Sequence, residues 1–480
     1  MRVSKEPSGW SGGHGAWEGP VVPKDAKTGA KSPTLPETLR LKISYRKVED
    51  LNPYAGNART HSDKQIDQIA ASIRQFGFTN PVLFGGADGI VAGHGRVAAA
   101  RTLGIEEVPV IELAHLSDAE RRAYVIADNR LAELAGWDDE ILRIELQALS
   151  DLELDFDLEI TGFETSEIDL LLDDDVVGDR DPADNAPEPA PGPAITRPGD
   201  IWELGCHRLI CGDALNPDTY RLLMGDDHAR AVFTDPPYNV KIDGHVCGSG
   251  KVKHREFAMA TGEMDKPGFT SFLRDALGAM AEVSRDGAIH FVCMDWRHMN
   301  ELSAAGAEVY SELKNLVIWV KTNGGMGTFY RSRHELVFVY KVGTAKHLNT
   351  FGLGETGRYR TNVWEYPGVN SFGGNQGDLA LHPTVKPVAL VADAIRDVTR
   401  RGDIVLDGFG GSGTTLIAAE RTGRVARLIE LDPQYCDVIC RRFEAQTGQP
   451  ARLAGTDQAF ADVALDRSQD TNTPSVETDE

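Results

Sequence analysis

Residues 404–413 read IVLDGFGGSG, and this stretch decides the fold of the C-terminal half of the chain. The apolar run Ile404–Leu406 is typical of a buried strand, and a helical pattern begins at Thr414. The glycines between them let the backbone approach a ligand closely, at a point where helix N–H groups are free. The stretch therefore predicts a strand, a ligand-binding turn and a helix within an α/β domain.

An acid follows the next apolar run of the chain. Glu430 comes directly after Leu428 and Ile429, at the position where dinucleotide-binding folds place the carboxylate that holds a ribose diol. Nicotinamide cofactors and S-adenosylmethionine both carry such a diol, so these residues leave the two cofactors open. A glycine turn that only packs helix on strand is a third alternative.

A second motif, Thr234-Asp235-Pro236-Pro237-Tyr238, follows the strand-like run 231–233. Because prolines cannot donate to a strand ladder, they end the strand and leave carbonyl oxygens facing a ligand. An exocyclic amino group becomes nucleophilic when acceptors such as the Asp235 carboxylate hold its hydrogens. The Tyr238 ring can stack on a base that has left the duplex. The alternative is a Pro-Pro turn with a capping aspartate and a core tyrosine.

These motifs give the region 199–455 a resemblance to the permuted β-type DNA amino-methyltransferases. In that family D-P-P-Y precedes the target-recognition region and the glycine loop lies near the C-terminus, which is the order found here. Residues 382–387 match the family segment H-P-T-x-K-P, and residues 212–215 resemble its G-D-x-L segment. One departure is visible, because Gly408 stands where the family usually has proline in D-P-F.

The resemblance implies a Rossmann-like, doubly wound, permuted α/β fold that uses S-adenosylmethionine. It places catalysis at Asp235, Pro236, Pro237 and Tyr238. The implied cofactor-binding residues are Asp213, His382, Lys386, Asp407, Phe409, Gly410, Gly411, Ser412, Gly413 and Glu430. Aspartate at the first motif position favours the N6 amino group of adenine, whereas serine is common for cytosine N4, and both bases stay open. No covalent intermediate is expected.

Basic residues after the catalytic tyrosine are candidate DNA contacts. A glycine-rich loop contains Lys241, Lys251, Lys253 and Arg255, and a second group contains Arg331 and Arg333 beside aromatic residues. We expect both groups to contact double-stranded DNA. Ordinary solvated charges beside core aromatics are the alternative.

The N-terminal region from about residue 43 to 113 resembles the ParB-like nuclease or partition-protein domain, which implies a small α+β domain. Its segment Gly93-His94-Gly95-Arg96 opens a predicted helix, and a helix N-terminus with Arg96 suits a phosphate of DNA or a nucleotide. We expect an accessory role in DNA binding. A non-catalytic partition factor is therefore a competing function, and a nicotinamide oxidoreductase is another.

Composition divides the chain further. We expect a disordered leader over 1–40, the ParB-like domain with a helical extension over 41–175, a Pro-rich acidic linker over 176–198, and an acidic disordered tail over 456–480. The net charge of −23 falls mostly outside the methyltransferase region, with −14 in residues 151–200. An acidic chain can thus still present a local basic face to DNA.

The six cysteines lack zinc-ligand spacing, so reduced thiols and no metal site are expected, including at Cys206-His207. The sequence shows no apolar stretch of membrane-spanning length and no signal peptide, which favours a cytoplasmic protein. A homodimer and a partner restriction nuclease are left open.

Overall fold

A computed structural model describes residues 41–85, 89–150, 152, 154–172, 181–187, 189–239, 262–322, 329–351, 360–367 and 385–470. The chain divides into two compact units, one ending at Gly136 and the other beginning at Trp137. Within the described ranges, no helix is both long and apolar enough to cross a membrane.

The first unit has a four-stranded sheet covered by helices. Its elements are β1 (Ile43–Lys47), α1 (Asp63–Phe76), β2 (Val82–Phe84), β3 (Ile90–Ala92), α2 (His94–Thr102), β4 (Glu107–Glu112) and α3 (Asp118–Glu133). The sheet order is β1-β4-β2-β3, in which only the β2–β4 pair is parallel. Apolar residues such as Leu51, Val82 and Val110 form its core. The expected α+β architecture is present.

Local sequence signals set the helix ends of this unit. The Glu120 carboxylate accepts the Ser117 N–H at 2.8 Å, and the Ser117 hydroxyl accepts the Glu120 N–H at 3.4 Å. This capping box satisfies free N–H groups at the start of α3. Helix α1 ends at Gly77, which adopts a positive φ of 81°. Both helix ends are therefore set by residues next to them in the sequence.

The second unit is built on a ten-stranded sheet. Its strands are β5 (Ile201–Leu204), β6 (His207–Cys211), β7 (Ala229–Thr234), β8 (Ser284–Met294), β9 (Glu312–Val320), β10 (His334–Lys341), β11 (Val363–Glu365), β12 (Ile404–Asp407), β13 (Val425–Glu430) and β14 (Arg452–Leu453). The order is β11-β9-β10-β8-β7-β12-β13-β6-β5-β14. The run β8-β7-β12-β13-β6 is parallel, and β10 is antiparallel to both of its neighbours.

Helices cover both faces of this sheet. They are α4 (Asp139–Ser150), α5 (Thr165–Leu171), α6 (Pro217–Met224), α7 (Lys266–Glu282), α8 (Met299–Val309), α9 (Val388–Arg396), α10 (Thr414–Thr422), α11 (Pro433–Thr447) and α12 (Phe460–Asp470). Buried residues of α9, α10 and α11 form one core, and those of α6, α7 and α8 form the other. Two cores on opposite faces are the mark of the doubly wound α/β fold that the sequence predicts.

Helices α4 and α5, expected as part of the N-terminal domain's helical extension, lie in the second unit instead. Asp169 of α5 is buried and accepts two hydrogen bonds of 2.8 Å from the guanidinium of Arg424, which is also buried. Arg424 additionally donates to the Thr399 carbonyl at 2.8 Å. A buried charge needs such a complete set of partners, so this pair fixes the extension to the sheet domain.

The described part of the expected linker is also packed rather than extended. Ala183 is fully buried, and its carbonyl accepts a 2.6 Å hydrogen bond from Arg442. The Asp437 carboxylate accepts the N–H groups of Ile195 and Thr196 at 2.7 and 2.8 Å. The sequence pattern missed this because the partners lie more than 200 residues away.

The expectation of a disordered tail over 456–480 is wrong for its first part. Helix α12 occupies residues up to Asp470, and its Phe460 ring packs edge-on against Trp202 with centroids 5.2 Å apart. Arg467 donates to the Asp200 carboxylate, which adds a charged contact to the apolar one. Residues 471–480 and the leader 1–40 lie outside the described residues.

Candidate active site

The candidate site lies at the carboxyl ends of the parallel strands in the ten-stranded sheet. Asp235 follows β7, Asp407 ends β12, Glu430 ends β13, and Asp213 follows β6. Since these four strands are parallel neighbours, their carboxyl ends meet at the same edge, where ligands bind in open α/β sheets. The sequence motifs are thus brought together.

The buried carboxylate of Asp407 joins the two motifs. It accepts hydrogen bonds from the Thr234 hydroxyl at 3.0 Å, the Thr415 hydroxyl at 2.7 Å and the Phe409 N–H at 3.0 Å. Burial raises the pKa of Asp407 to about 6, although the three donors oppose that rise. One side chain therefore holds the end of β7, the glycine turn and the start of α10.

The glycine turn lies directly against β13. Gly411 and Gly413 adopt positive φ values of 52° and 84°, a conformation that favours glycine. A Cβ added to Gly410 would lie 3.2 Å from the Ile429 carbonyl oxygen, and one at Gly413 would lie 3.1 Å from Ile439. The turn is therefore a tight cradle of bare backbone. Ser412 is held from behind, since its carbonyl accepts a 2.9 Å hydrogen bond from Arg442.

The departure at Gly408 has a packing explanation. A Cβ at this position would lie 2.9 Å from the Met280 sulfur and 3.2 Å from the Tyr220 hydroxyl oxygen. Any larger residue would push against both side chains. The neighbouring Phe409 ring packs with Phe272 at a centroid distance of 6.0 Å.

Glu430 and Asp213 complete the cofactor side of the edge. The Glu430 carboxylate accepts the N–H groups of Gly411 and Asp432 at 2.7 and 2.8 Å. Burial raises the pKa of Glu430 to about 7, and these two N–H groups moderate the rise. The half-buried Asp213 accepts the Leu215 N–H at 2.9 Å.

A cluster of charges surrounds Asp235 on the other side. Its carboxylate accepts a 2.6 Å hydrogen bond from the Tyr238 hydroxyl and pairs closely with the Lys386 ammonium. Lys386 also lies 3.2 Å from a Glu335 oxygen, and Lys321 pairs with the same carboxylate. The cluster holds two positive and two negative groups.

Two members of this cluster differ from the sequence expectation. The resemblance placed Lys386 beside the cofactor, whereas the structure shows its ammonium against Asp235. Glu335 was missed, because it precedes the apolar run of β10 and matches no motif. The usable signal was an acid at the start of a strand that runs antiparallel to β8, which brings it to the site edge.

The structure describes some of the residues expected to contact DNA and not others. Arg331 and Arg333 are exposed, and beside them the Phe329 and Tyr330 side chains are 86% and 81% exposed. Lys241, Lys251, Lys253, Arg255 and His382 lie outside the described residues. Arg96 belongs to the first unit, where its buried Nε has no hydrogen-bond partner among the described residues.

Cys206, His207 and Glu420 offer ligand atoms within 4.8 Å of one another. However, His207 Nδ1 accepts the Ala426 N–H at 2.8 Å, which leaves Nε2 to carry the proton toward Glu420 at 2.7 Å. A metal on Nε2 would require a proton on Nδ1, facing the Ala426 N–H. The trio is therefore a structural hydrogen-bond chain.

Comparisons with known proteins match this architecture. A family of DNA methylases matches residues 229–441, the ParB N-terminal domain matches residues 39–130, and the ParB-methyltransferase HTH domain matches residues 140–198. The HTH match covers α4 and α5.

Similar proteins exist for both parts of the chain. The ParB-like nuclease domain-containing protein YnaK of Escherichia coli (strain K12) is 53% identical over 83 residues, which are 17% of this chain and 95% of YnaK. The type II methyltransferase M2.MboI of Moraxella bovis is 24% identical over 233 residues, 46% of this chain and 83% of that protein.

Among solved structures, the M1.HpyAVI-SAM complex is 20% identical in sequence to this chain. The alignment covers 49% of this chain and 98% of the chain in that complex, with a TM-score of 0.35. The PvuII DNA methyltransferase (cytosine-N4-specific) is 16% identical, and the alignment covers 54% of this chain and 91% of that protein, with a TM-score of 0.39. Residues 229–441 thus form a domain of the N6/N4 family of DNA methylases, whose methyl donor is S-adenosylmethionine, and the N-terminal region forms a ParB-like domain.

The Asp407 contacts give a stability prediction. Asp407→Asn keeps an oxygen for the Thr234 and Phe409 donors, and its new amide can donate to Thr415, whereas Asp407→Ala leaves three donors unpaired. We expect the Ala variant to be less stable than the Asn variant by about 2–3 kcal/mol in urea unfolding at pH 7.5. Equal stability of the two variants would show that Asp407 does not organise these loops.

Proposed function

We propose that the protein methylates the N6 amino group of adenine in double-stranded DNA. The observation that supports this most directly is the Asp235 carboxylate, which lies at the end of β7 beside Tyr238, within the D-P-P-Y motif. Aspartate at the first motif position favours adenine by family resemblance. Cytosine N4 is the second candidate, because the family includes both activities.

The residues on the cofactor side suit S-adenosylmethionine. The turn Gly410–Gly413 has no side chain except that of Ser412 and leads into the N-terminus of α10, so a ligand can approach its backbone closely, and the Glu430 carboxylate can accept hydrogen bonds from a ribose diol. We assign Asp213 to the adenine part of the cofactor, and Asp407, Phe409 and Ser412 to shaping the turn. We assign His382 to its methionine part, whereas Lys386 lies against Asp235 and not on the cofactor side. When bound, the cofactor supplies a methyl group on a positively charged sulfur.

The chain's own residues prepare the nucleophile. The Asp235 carboxylate and the Pro236 carbonyl accept the two hydrogens of the amino group, which localises the nitrogen lone pair away from the base ring. The Tyr238 ring offers a surface for the extruded base to stack on. Burial and the carboxylates of Asp235 and Glu335 keep the pKa of Tyr238 well above its usual value, so its hydroxyl stays a donor.

The DNA is proposed to lie over the edge formed by the ends of β9 and β10. Arg331 and Arg333 can contact phosphates, and the exposed Phe329 and Tyr330 can stack on bases. We also propose phosphate contacts for Lys241, Lys251, Lys253 and Arg255 of the basic loop, which lies outside the described residues. In the ParB-like domain, Arg96 at the start of α2 is the proposed phosphate contact.

Labelled methyl transfer tests the function. The full chain is incubated with labelled S-adenosylmethionine and unmethylated amplified DNA of mixed sequence, and the DNA is digested to nucleosides. We expect labelled N6-methyladenine, and we expect Asp235→Ala to slow transfer about a hundredfold or more because the amino group loses its acceptor.

Asp218→Ala serves as the matched control, since Asp218 is an exposed carboxylate on α6 that pairs with Arg221. It should leave transfer unchanged. Label in N4-methylcytosine would assign the other base, and unlabelled DNA would refute a DNA methyltransferase.

The raised pKa of Glu430 predicts a pH dependence of cofactor binding. The ionised carboxylate accepts the ribose hydroxyls, so binding favours loss of the Glu430 proton. With a pKa of about 7 in the free protein, we expect the dissociation constant for S-adenosylmethionine to rise about tenfold between pH 8 and pH 6. Isothermal titration calorimetry measures the constant at each pH.

Glu430→Gln provides the control, because the amide does not titrate while the cofactor's own titration is unchanged. Its dissociation constant should be larger at pH 8 and should vary less with pH than that of the wild type. Identical pH profiles for the two proteins would remove Glu430 from the cofactor site.

A further inference from the structure

Both oxygens of the Asp235 carboxylate are already engaged. Oδ1 accepts the Tyr238 hydroxyl at 2.6 Å, and Oδ2 pairs with the Lys386 ammonium, whose side chain is only 6% exposed. A carboxylate engaged by an ammonium group is a weakened acceptor for a neutral amine. The proposed function therefore requires that Asp235 be released, at least in part, when a base enters.

Glu335 contacts the same two donors. One of its oxygens, Oε2, lies 3.2 Å from the Lys386 ammonium and 3.4 Å from the Tyr238 hydroxyl oxygen. Its other oxygen, Oε1, pairs with Lys321. Each donor that occupies Asp235 thus has a second acceptor within or near hydrogen-bond distance, so a change of partner needs only a small movement.

Glu335 is built to remain an acceptor. It is the second residue of β10, opposite Trp319 of β9, and its side chain is 16% exposed. Burial alone would raise the pKa of Glu335, but the ammonium groups of Lys386 and Lys321 lower it to about 2. The two carboxylates in turn hold the pKa of Lys386 above its usual value despite burial. Glu335 and Lys386 therefore stay charged at neutral pH.

The rings of Trp319 and Tyr238 lie beside the two lysines and can stabilise them whether Lys386 contacts Asp235 or Glu335. The Trp319 ring centroid lies 4.5 Å from the Lys321 ammonium and 5.9 Å from that of Lys386, and the Tyr238 centroid lies 5.7 Å from Lys386. Cation–π attraction depends little on which carboxylate the ammonium contacts.

We propose that Glu335 is a positioning residue for methyl transfer, which draws the Lys386 ammonium and the Tyr238 hydroxyl away from Asp235 as the amino group docks. Asp235 is then free to accept the N–H of the base. No bond to hydrogen breaks in this exchange, because two hydrogen bonds move from one carboxylate to another. The inference rests on the proposed function, and it adds a residue that neither motif contains.

The test measures the rate constant of the first turnover on DNA at saturating S-adenosylmethionine, together with the KM for the cofactor. We expect Glu335→Gln to lower the rate constant about tenfold to a hundredfold while the KM stays within about twofold. The amide cannot compete with Asp235 for an ammonium, so Asp235 stays engaged. Glu312→Gln is the matched control, because Glu312 is an exposed glutamate that pairs with Lys314 at the other end of β9.

A double-mutant cycle separates this role from a structural one. If Glu335 acts through Lys386, then adding Glu335→Gln to Lys386→Met should change the rate constant by less than about threefold. The charge-balanced double variant Glu335→Gln/Lys321→Gln keeps the cluster neutral, and it should be as slow as Glu335→Gln. That variant also serves if Glu335→Gln alone does not fold.

A wild-type rate in either Glu335 variant would overturn the inference, as would an equal loss in the presence and absence of Lys386. A loss confined to the KM would also overturn it. Because wild-type transfer is measured in the same experiment, an inactive wild type refutes the proposed function and the inference together. An active wild type with unaffected variants refutes the inference alone.

Discussion

The carboxylate of Asp407 is the contact on which the geometry of the site depends. It is buried between β7 and β12, and it accepts donors from the end of the catalytic strand, from the glycine turn and from the first turn of α10. A buried carboxylate is tolerated only where such donors satisfy it. The distance between the D-P-P-Y loop and the glycine turn is therefore set by the Asp407 side chain.

The acids at these strand ends have different pKa values because their surroundings differ. Burial raises the pKa of Asp407 and Glu430 to about 6 and about 7, whereas two lysines lower that of Glu335 to about 2. The side proposed to hold the cationic cofactor thus has acids that can lose a proton when a cation binds. The side that faces the base keeps permanent charges, which suits an exchange of hydrogen-bond partners.

Much of the fold followed from local sequence. The strand over 404–406, the glycine turn and the D-P-P-Y loop after β7 lie where their sequence patterns placed them. The sequence predictions that are wrong share one cause, which is contact between residues far apart in the chain. Arg442 donates to the carbonyl of Ala183 within the expected linker, and Phe460 of the expected tail packs on Trp202, so both segments are ordered by remote partners. Glu335 was missed because only the antiparallel direction of β10 brings it to Asp235.

The role of Asp235 as acceptor of the target amino group is tested most directly by a crystal structure of the full chain with the methyl-donor analogue sinefungin and a duplex that the protein methylates. We expect an extruded adenine whose amino nitrogen lies within hydrogen-bond distance of the Asp235 carboxylate and the Pro236 carbonyl oxygen, with the Lys386 ammonium on Glu335. An extruded base whose amino group lies away from Asp235, while Lys386 still covers that carboxylate, would contradict it.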